Sequence, residues 1–158
     1  MHNAVVELSI EKIINLAINE SGQVFRGIRS MAQGAEGAMA TDAVADDMLI
    51  TEDDTDAIKA NLNAFVSELY ATLRGYCPEY AVEDDTIAFA IEGAEDCNAS
   101  ARITPLMEFY FAYRILAWWY RFRNGDIASN YLLLSDDYRQ QVLSAIVPKF
   151  STRKLRMF

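Results

Sequence analysis

A chain of 158 residues with 52% hydrophobic residues, three prolines and seven glycines is long enough to bury one sizeable core and too apolar for wholesale disorder. Its two cysteines, Cys77 and Cys97, are too few and too isolated for a disulfide framework or a zinc site and read as packing residues. The net charge of -9 is unevenly spread: residues 1–35 carry three acids and three bases, residues 36–96 sixteen acids against two bases, and residues 97–158 four acids against nine bases.

Opposite signs on successive segments give complementary surfaces able to orient an interaction between copies or with another protein. The composition fits one mainly α domain over residues 1–158, a small bundle of about four main helices. The opening MHNAVVELSIEKIINLAINES has Lys12 as its one basic side chain and is interrupted by Glu7 and Glu11, unlike a secretion signal.

Val5, Val6 and Leu8 form an extended arm, after which Ser9 caps a helix. Ile10, Ile13, Ile14, Ala17 and Ile18 give that helix one apolar stripe, and Gly22 is placed to end it. From 23 to 48 the side chains turn small and glycines recur, which predicts a mobile loop. Thr51-Glu52-Asp53-Asp54 then starts a helix with a hydroxyl cap and acids at the positive end of the dipole. It runs to about Arg74, with Ile58, Leu62, Phe65, Val66, Leu69 and Leu73 inward, and Gly75 and Pro78 stop it.

In the stretch 82–101, Thr86-Ile87-Ala88-Phe89-Ala90-Ile91 alternates in size and reads as a strand or hairpin arm. Thr104 and Pro105 then give a cap and a first-turn proline for a helix extending to Gly125. Eight aromatics lie between Phe109 and Phe122. A helix apolar on nearly every side is buried among other helices, so this one is the central strut; Glu108 and Arg114 leave it short of a membrane span. Ser135-Asp136-Asp137 caps a last helix in which Tyr138, Val142, Ala145 and Ile146 share a face, and Pro148 ends it. The basic segment 149–158 follows.

No catalytic, cofactor-binding or metal-binding residue emerges. The lone histidine, His2, sits beside the first methionine, which leaves no base for a histidine triad. The acids at Asp53-Asp54-Asp56, Asp84-Asp85 and Asp136-Asp137 lack the spacing of a calcium loop. Gly34-Ala35-Glu36-Gly37 is not followed by the Gly-Lys-Ser/Thr of a phosphate-binding loop. Arg114, Arg121 and Arg123 on the aromatic helix are expected to snorkel, cap its last turn or pair with helix acids. The bases and unpartnered apolar side chains of the last segment make Lys149, Phe150, Arg153, Lys154, Leu155, Arg156 and Phe158 the candidate assembly contacts.

The order of elements resembles the head-to-tail connector proteins of tailed bacteriophages, also called adaptor, head-completion or neck-ring proteins. The likeness rests on the acid-capped TEDDTDAIKANLNAFVSELYATLRGY, an extended segment, the aromatic and arginine-ending LMEFYFAYRILAWWYRFRNGD, and SDDYRQQVLSAIVPKF near the C-terminus. It covers roughly residues 50–150; the Gly/Ala-rich region before Thr51 and the acidic middle depart from it. The resemblance implies a non-enzymatic virion protein of the neck, made in the host cytoplasm, that forms a homo-oligomeric ring between portal and tail. Its partners would be portal and tail or neck proteins, with DNA passing through the lumen and no sequence-specific nucleic-acid binding, membrane or cofactor. The alternative is a small helical interaction or regulatory module forming a dimer.

Overall fold

The structure, a computed structural model, describes residues 4–32, 49–92 and 97–155, and the side chains of 4–27, 49–92 and 100–146. In chain order these form β1 (Ala4–Ser9), α1 (Ile10–Ala32), a 3-10 turn at Glu52–Asp54, α2 (Thr55–Leu73), β2 (Glu79–Val82), β3 (Thr86–Ile91), α3 (Cys97–Tyr120) and α4 (Gly125–Leu155). The fold is mainly α with a small antiparallel sheet of order β1-β3-β2.

Alternation sets the sheet. Val6 and Leu8 are buried while Val5, Glu7 and Ser9 are exposed, and Val6 faces Phe89 and Leu8 faces Ile87 on the core side of the central strand. Thr86, Ala88 and Ala90 occupy the outer side. The extended arm is therefore an edge strand. The hairpin spans β2 and β3, slightly ahead of the expected 82–101, because the Glu83 N–H donates to the Thr86 carbonyl at 2.8 Å and closes the turn over Asp84-Asp85. The Ile10 N–H donates to the Asp85 carbonyl at 3.0 Å, tying that turn to the first residue of α1.

Ser9 caps α1 as expected, its Oγ accepting the Lys12 N–H at 3.3 Å, and the predicted Ile10, Ile13, Ile14 and Ala17 are buried. Gly22 does not end the helix, which continues to Ala32. A mid-helix glycine costs only about 1 kcal/mol, and Val24 beyond it packs against the core. Residues 23–32 are thus helix, and the remainder of the expected loop, 33–48, lies outside the described residues. At Thr51 the backbone N–H donates to Asp54 Oδ2 at 2.9 Å, one half of a capping box. The six apolar residues expected inside α2 are all buried. Beyond Leu73 the Tyr76 and Cys77 N–H groups close on its carbonyl at 2.8 Å, turning the chain toward the hairpin.

The aromatic helix also starts earlier than its sequence signals say. α3 begins at Cys97, and Pro105 stands inside it. Thr104 is no cap: its hydroxyl donates to the Ser100 carbonyl at 2.7 Å. Pro105 and Ala101 are both exposed, so the backbone bond that proline removes is lost on a side where water replaces it. α3 is the central strut, packed on α1, β1, α2 and α4. Phe111, Ile115, Leu116 and Tyr120 are completely buried, and Phe89 of the sheet stacks toward Phe111 at 6.4 Å.

Gly125 opens α4 instead of closing α3. The cap is Asn124, whose Oδ1 accepts the Ile127 N–H at 3.2 Å. Ser135 sits buried in mid-helix, its hydroxyl donating to the Leu132 carbonyl at 2.8 Å, and does not start a helix. Tyr131, Val142 and Ile146 pack into the core and carry α4 along α3. Pro148 does not end it: helical backbone runs on to Leu155, and the carbonyl that would have received the missing N–H belongs to exposed Ser144. No helix among the described residues is long and apolar enough to cross a membrane.

Candidate functional site

α2 and α4 both lie against α3, and a groove remains between them. It consists of two open depressions, each of about 460 Å³, which share Arg114 and Leu132. Tyr110, Arg114, Ala117 and Trp118 of α3 form the floor. Asn61, Phe65, Glu68 and Thr72 supply one wall; their spacing of four, three and four residues keeps them on one face of α2. Ala128, Leu132, Leu133, Asp136 and Arg139 of α4 supply the other.

Charge is arranged along the floor and rim. Arg114 lies over the Phe65 ring, 4.6 Å from its centroid, and donates from Nε and Nη2 to the two carboxylate oxygens of Glu68 at 3.1 and 3.3 Å. Arg139 pairs with Asp136 one turn earlier and reaches across to Thr72 Oγ1 at 3.5 Å. The Tyr110 hydroxyl is pushed up to about 12, first by burial and then by the Glu68 carboxylate, so it stays a neutral hydrogen-bonding group at ordinary pH. Arg121 stacks on Phe122 at 4.4 Å at the far end. Fixed ion pairs and apolar walls thus alternate along this surface.

The apolar character of the rim is its other property. Leu132, Leu133 and Leu134 are exposed, Leu133 by 66%, and Phe122 in the turn before α4 by 84%. Leu132 and Leu133 line the open groove itself, the pattern of an interaction surface more than of scattered surface residues. The triple leucine went unremarked in the sequence, although three consecutive apolar residues overfill a single helical stripe and are the signal that would have found it. The groove has no such signal.

About a quarter-turn around α3 from this floor lies a second, largely buried cluster. Tyr113, Tyr120 and Tyr131 stack with ring centroids 5.6 and 5.9 Å apart, and the Tyr131 hydroxyl donates to Glu20 Oε1 at 3.2 Å. Burial, followed by the Glu20 charge, pushes the Tyr120 hydroxyl up to about 12 and the Tyr131 hydroxyl higher still. The buried Glu108 carboxylate is met by Lys12 Nζ at 3.0 Å. These are core features linking α1 to α3 and α4.

Two of the three arginines behave as expected: Arg114 pairs with a helix acid, and Arg123 Nη1 donates to the Trp119 carbonyl at 2.8 Å in the last turn of α3. Cys77 is free and buried, its thiol held up by burial. The backbone of Lys149, Phe150, Arg153, Lys154 and Leu155 continues α4, so the basic segment as far as Leu155 is part of that helix and not a separate tail. Their side chains, with Arg156, Phe158 and His2, lie outside the described residues, as does the side chain of Cys97. Among the described residues no group of three or more His, Cys, Asp or Glu is placed to hold a metal ion. Comparison of the chain with protein-family models, with curated proteins and with solved structures gave no match.

Proposed function

We propose that this chain is a non-enzymatic structural subunit of the neck of a tailed bacteriophage, forming a homo-oligomeric ring between portal and tail. The observation that carries the reading is the exposed leucine rim of α4 beside an open groove, in a chain whose helix order resembles that of head-to-tail connectors. Such a surface suits contact with another protein. Exposed charge pairs contribute only about 0–1 kcal/mol each, so apolar contacts of this kind provide the affinity while the acidic middle and basic end set orientation and rate.

In this reading the acidic segments line the passage, where repulsion from phosphates lets DNA slide without sticking. Portal and tail or neck proteins dock on the ring's two faces. The subunit is made in the host cytoplasm and ends in the virion neck. Electron microscopy and native mass measurement of the purified protein, alone and with a portal, test it: closed rings of many copies are expected. A strict monomer or a two-fold dimer in every condition refutes the ring, and tight, salt-sensitive DNA binding refutes the acidic lumen.

A further inference from the structure

The groove has a counterpart elsewhere on the same molecule. β2 is exposed along its whole length, with Tyr80 and Val82 among the large apolar residues in contact with solvent. It is followed by Glu83, Asp84 and Asp85, three consecutive exposed acids in the turn to β3. This prong is held in place before any partner arrives. Its turn is closed by the Glu83–Thr86 backbone bond, and the Asp85 carbonyl is fixed by α1. Tyr80 packs on Tyr70 with 4.6 Å between ring centroids, and its hydroxyl lies 3.3 Å from Ser67 Oγ. A preorganised element loses less entropy on docking than a flexible one.

Prong and groove lie on opposite flanks of α2. At 100° per residue, Asn61, Phe65, Glu68 and Thr72 fall on one side of that helix, while Ser67 and Tyr70, which hold Tyr80, fall on the other. A copy therefore cannot insert its own hairpin into its own groove, and contact between copies through these two surfaces joins unlike patches. Their dimensions agree: the α2 wall from Asn61 to Thr72 is about 16 Å long, and a four-residue strand extends about 13 Å. Their charge agrees as well, since the exposed Glu83, Asp84 and Asp85 meet a groove in which Arg114, Arg121 and Arg139 outnumber Glu68 and Asp136; Tyr80 and Val82, opposite Phe89 and Ile87 on the core side of the sheet, brace the hairpin from within. Arg114 has three further N–H donors beyond the two it gives to Glu68.

We propose that the β2–β3 hairpin of one copy docks in the α2–α4 groove of the next, a heterologous contact that propagates around a closed assembly. It rests on the ring reading above and specifies its interface. Two sets of substitutions separate the surfaces: Leu132→Asp with Leu133→Asp spoils the groove, and Glu83→Lys with Asp84→Lys spoils the prong. All four positions are exposed, and circular dichroism melts check that both variants fold.

Each variant alone is expected to assemble roughly tenfold or more weakly than the parent. Mixed together, they form a 1:1 dimer by native mass spectrometry, because one retains the groove and the other the prong. As a measurement that does not require disrupting the surface, Asp84→Cys and Leu133→Cys, each made with Cys77→Ala and Cys97→Ala so that it carries one cysteine, are expected to form a disulfide-linked heterodimer on mild oxidation. Rings that form normally from both variants overturn this interface and leave the ring reading standing. A mixture that remains monomeric, with no cross-link from the cysteine pair, also overturns it. A parent that never assembles overturns both.

Discussion

Replacing Tyr120 by phenylalanine should make the protein more stable, by an amount that grows with pH. Tyr120 is completely buried, and its hydroxyl has no hydrogen-bond partner among the described residues. An unsatisfied buried polar atom costs about 1–3 kcal/mol, and removing it leaves the ring stacked on Tyr131. Allowing for the small space left behind, the gain near neutrality is about 1 kcal/mol, or about 2–4 °C in melting temperature for a domain of this size. The pH dependence adds to it. Because the folded hydroxyl titrates at about 12 against a usual 10, the unfolded chain loses its proton first. The stability associated with the neutral hydroxyl is therefore complete below pH 10 and is lost as pH rises from 10 to 12. At pH 11 that loss is about 1.4 kcal/mol for one such group. Urea unfolding of parent and Tyr120→Phe at pH 8 and 11 checks both parts. A variant less stable than its parent at pH 8, or a gap that fails to widen at pH 11, refutes the reasoning.

Three further outcomes follow from the packing. Phe111→Ala, at a completely buried position stacked toward Phe89, should lower stability by about 3–5 kcal/mol, and Phe109→Ala, at a half-buried one, by clearly less; equal denaturation midpoints would remove α3 from its central role. Pro105→Ala restores a donor inside α3 and should raise stability by about 1 kcal/mol or more in the same assay, whereas a lower melting temperature would mean that the proline is required where it stands. Deleting 151–158 should leave helicity and melting nearly unchanged while abolishing assembly measured by native mass spectrometry; a truncated protein that unfolds, or assembles as before, contradicts the assignment of that segment to contacts between copies.

The parts of the fold legible in the sequence are those where a local signal and the tertiary packing agree. Ser9 accepts the N–H it was expected to accept, and Ile58 through Leu73 turn one face inward as their spacing requires. Gly22, Pro105, Ser135 and Pro148 misled for a single reason. Each is a start or stop signal worth a few kcal/mol at most; Gly22, Pro105 and Ser135 stand between residues that pack against the core, and Pro148 follows the buried Ile146. The candidate site was less legible still, because a groove depends on the separation of two helices far apart in sequence. Periodicity finds the buried face of α2 but is blind to what the rest of that helix overlooks.

The place of β1 in the sheet bears on how the chain reaches this structure during synthesis. β2 and β3 are neighbours and meet through a short turn, whereas Ala4–Ser9 has its partners at Thr86–Ile91. A nascent chain that has emerged only as far as α2 holds a finished strand sequence with nothing to pair it, and Val6 and Leu8 have no sheet to cover. The central strand thus works as a checkpoint: a strand made before α1 and α2 is locked only once β3 has emerged. Contacts of such long separation slow folding relative to a purely helical bundle of the same size. Mutations in β1 should accordingly accelerate unfolding while leaving the refolding rate almost unchanged.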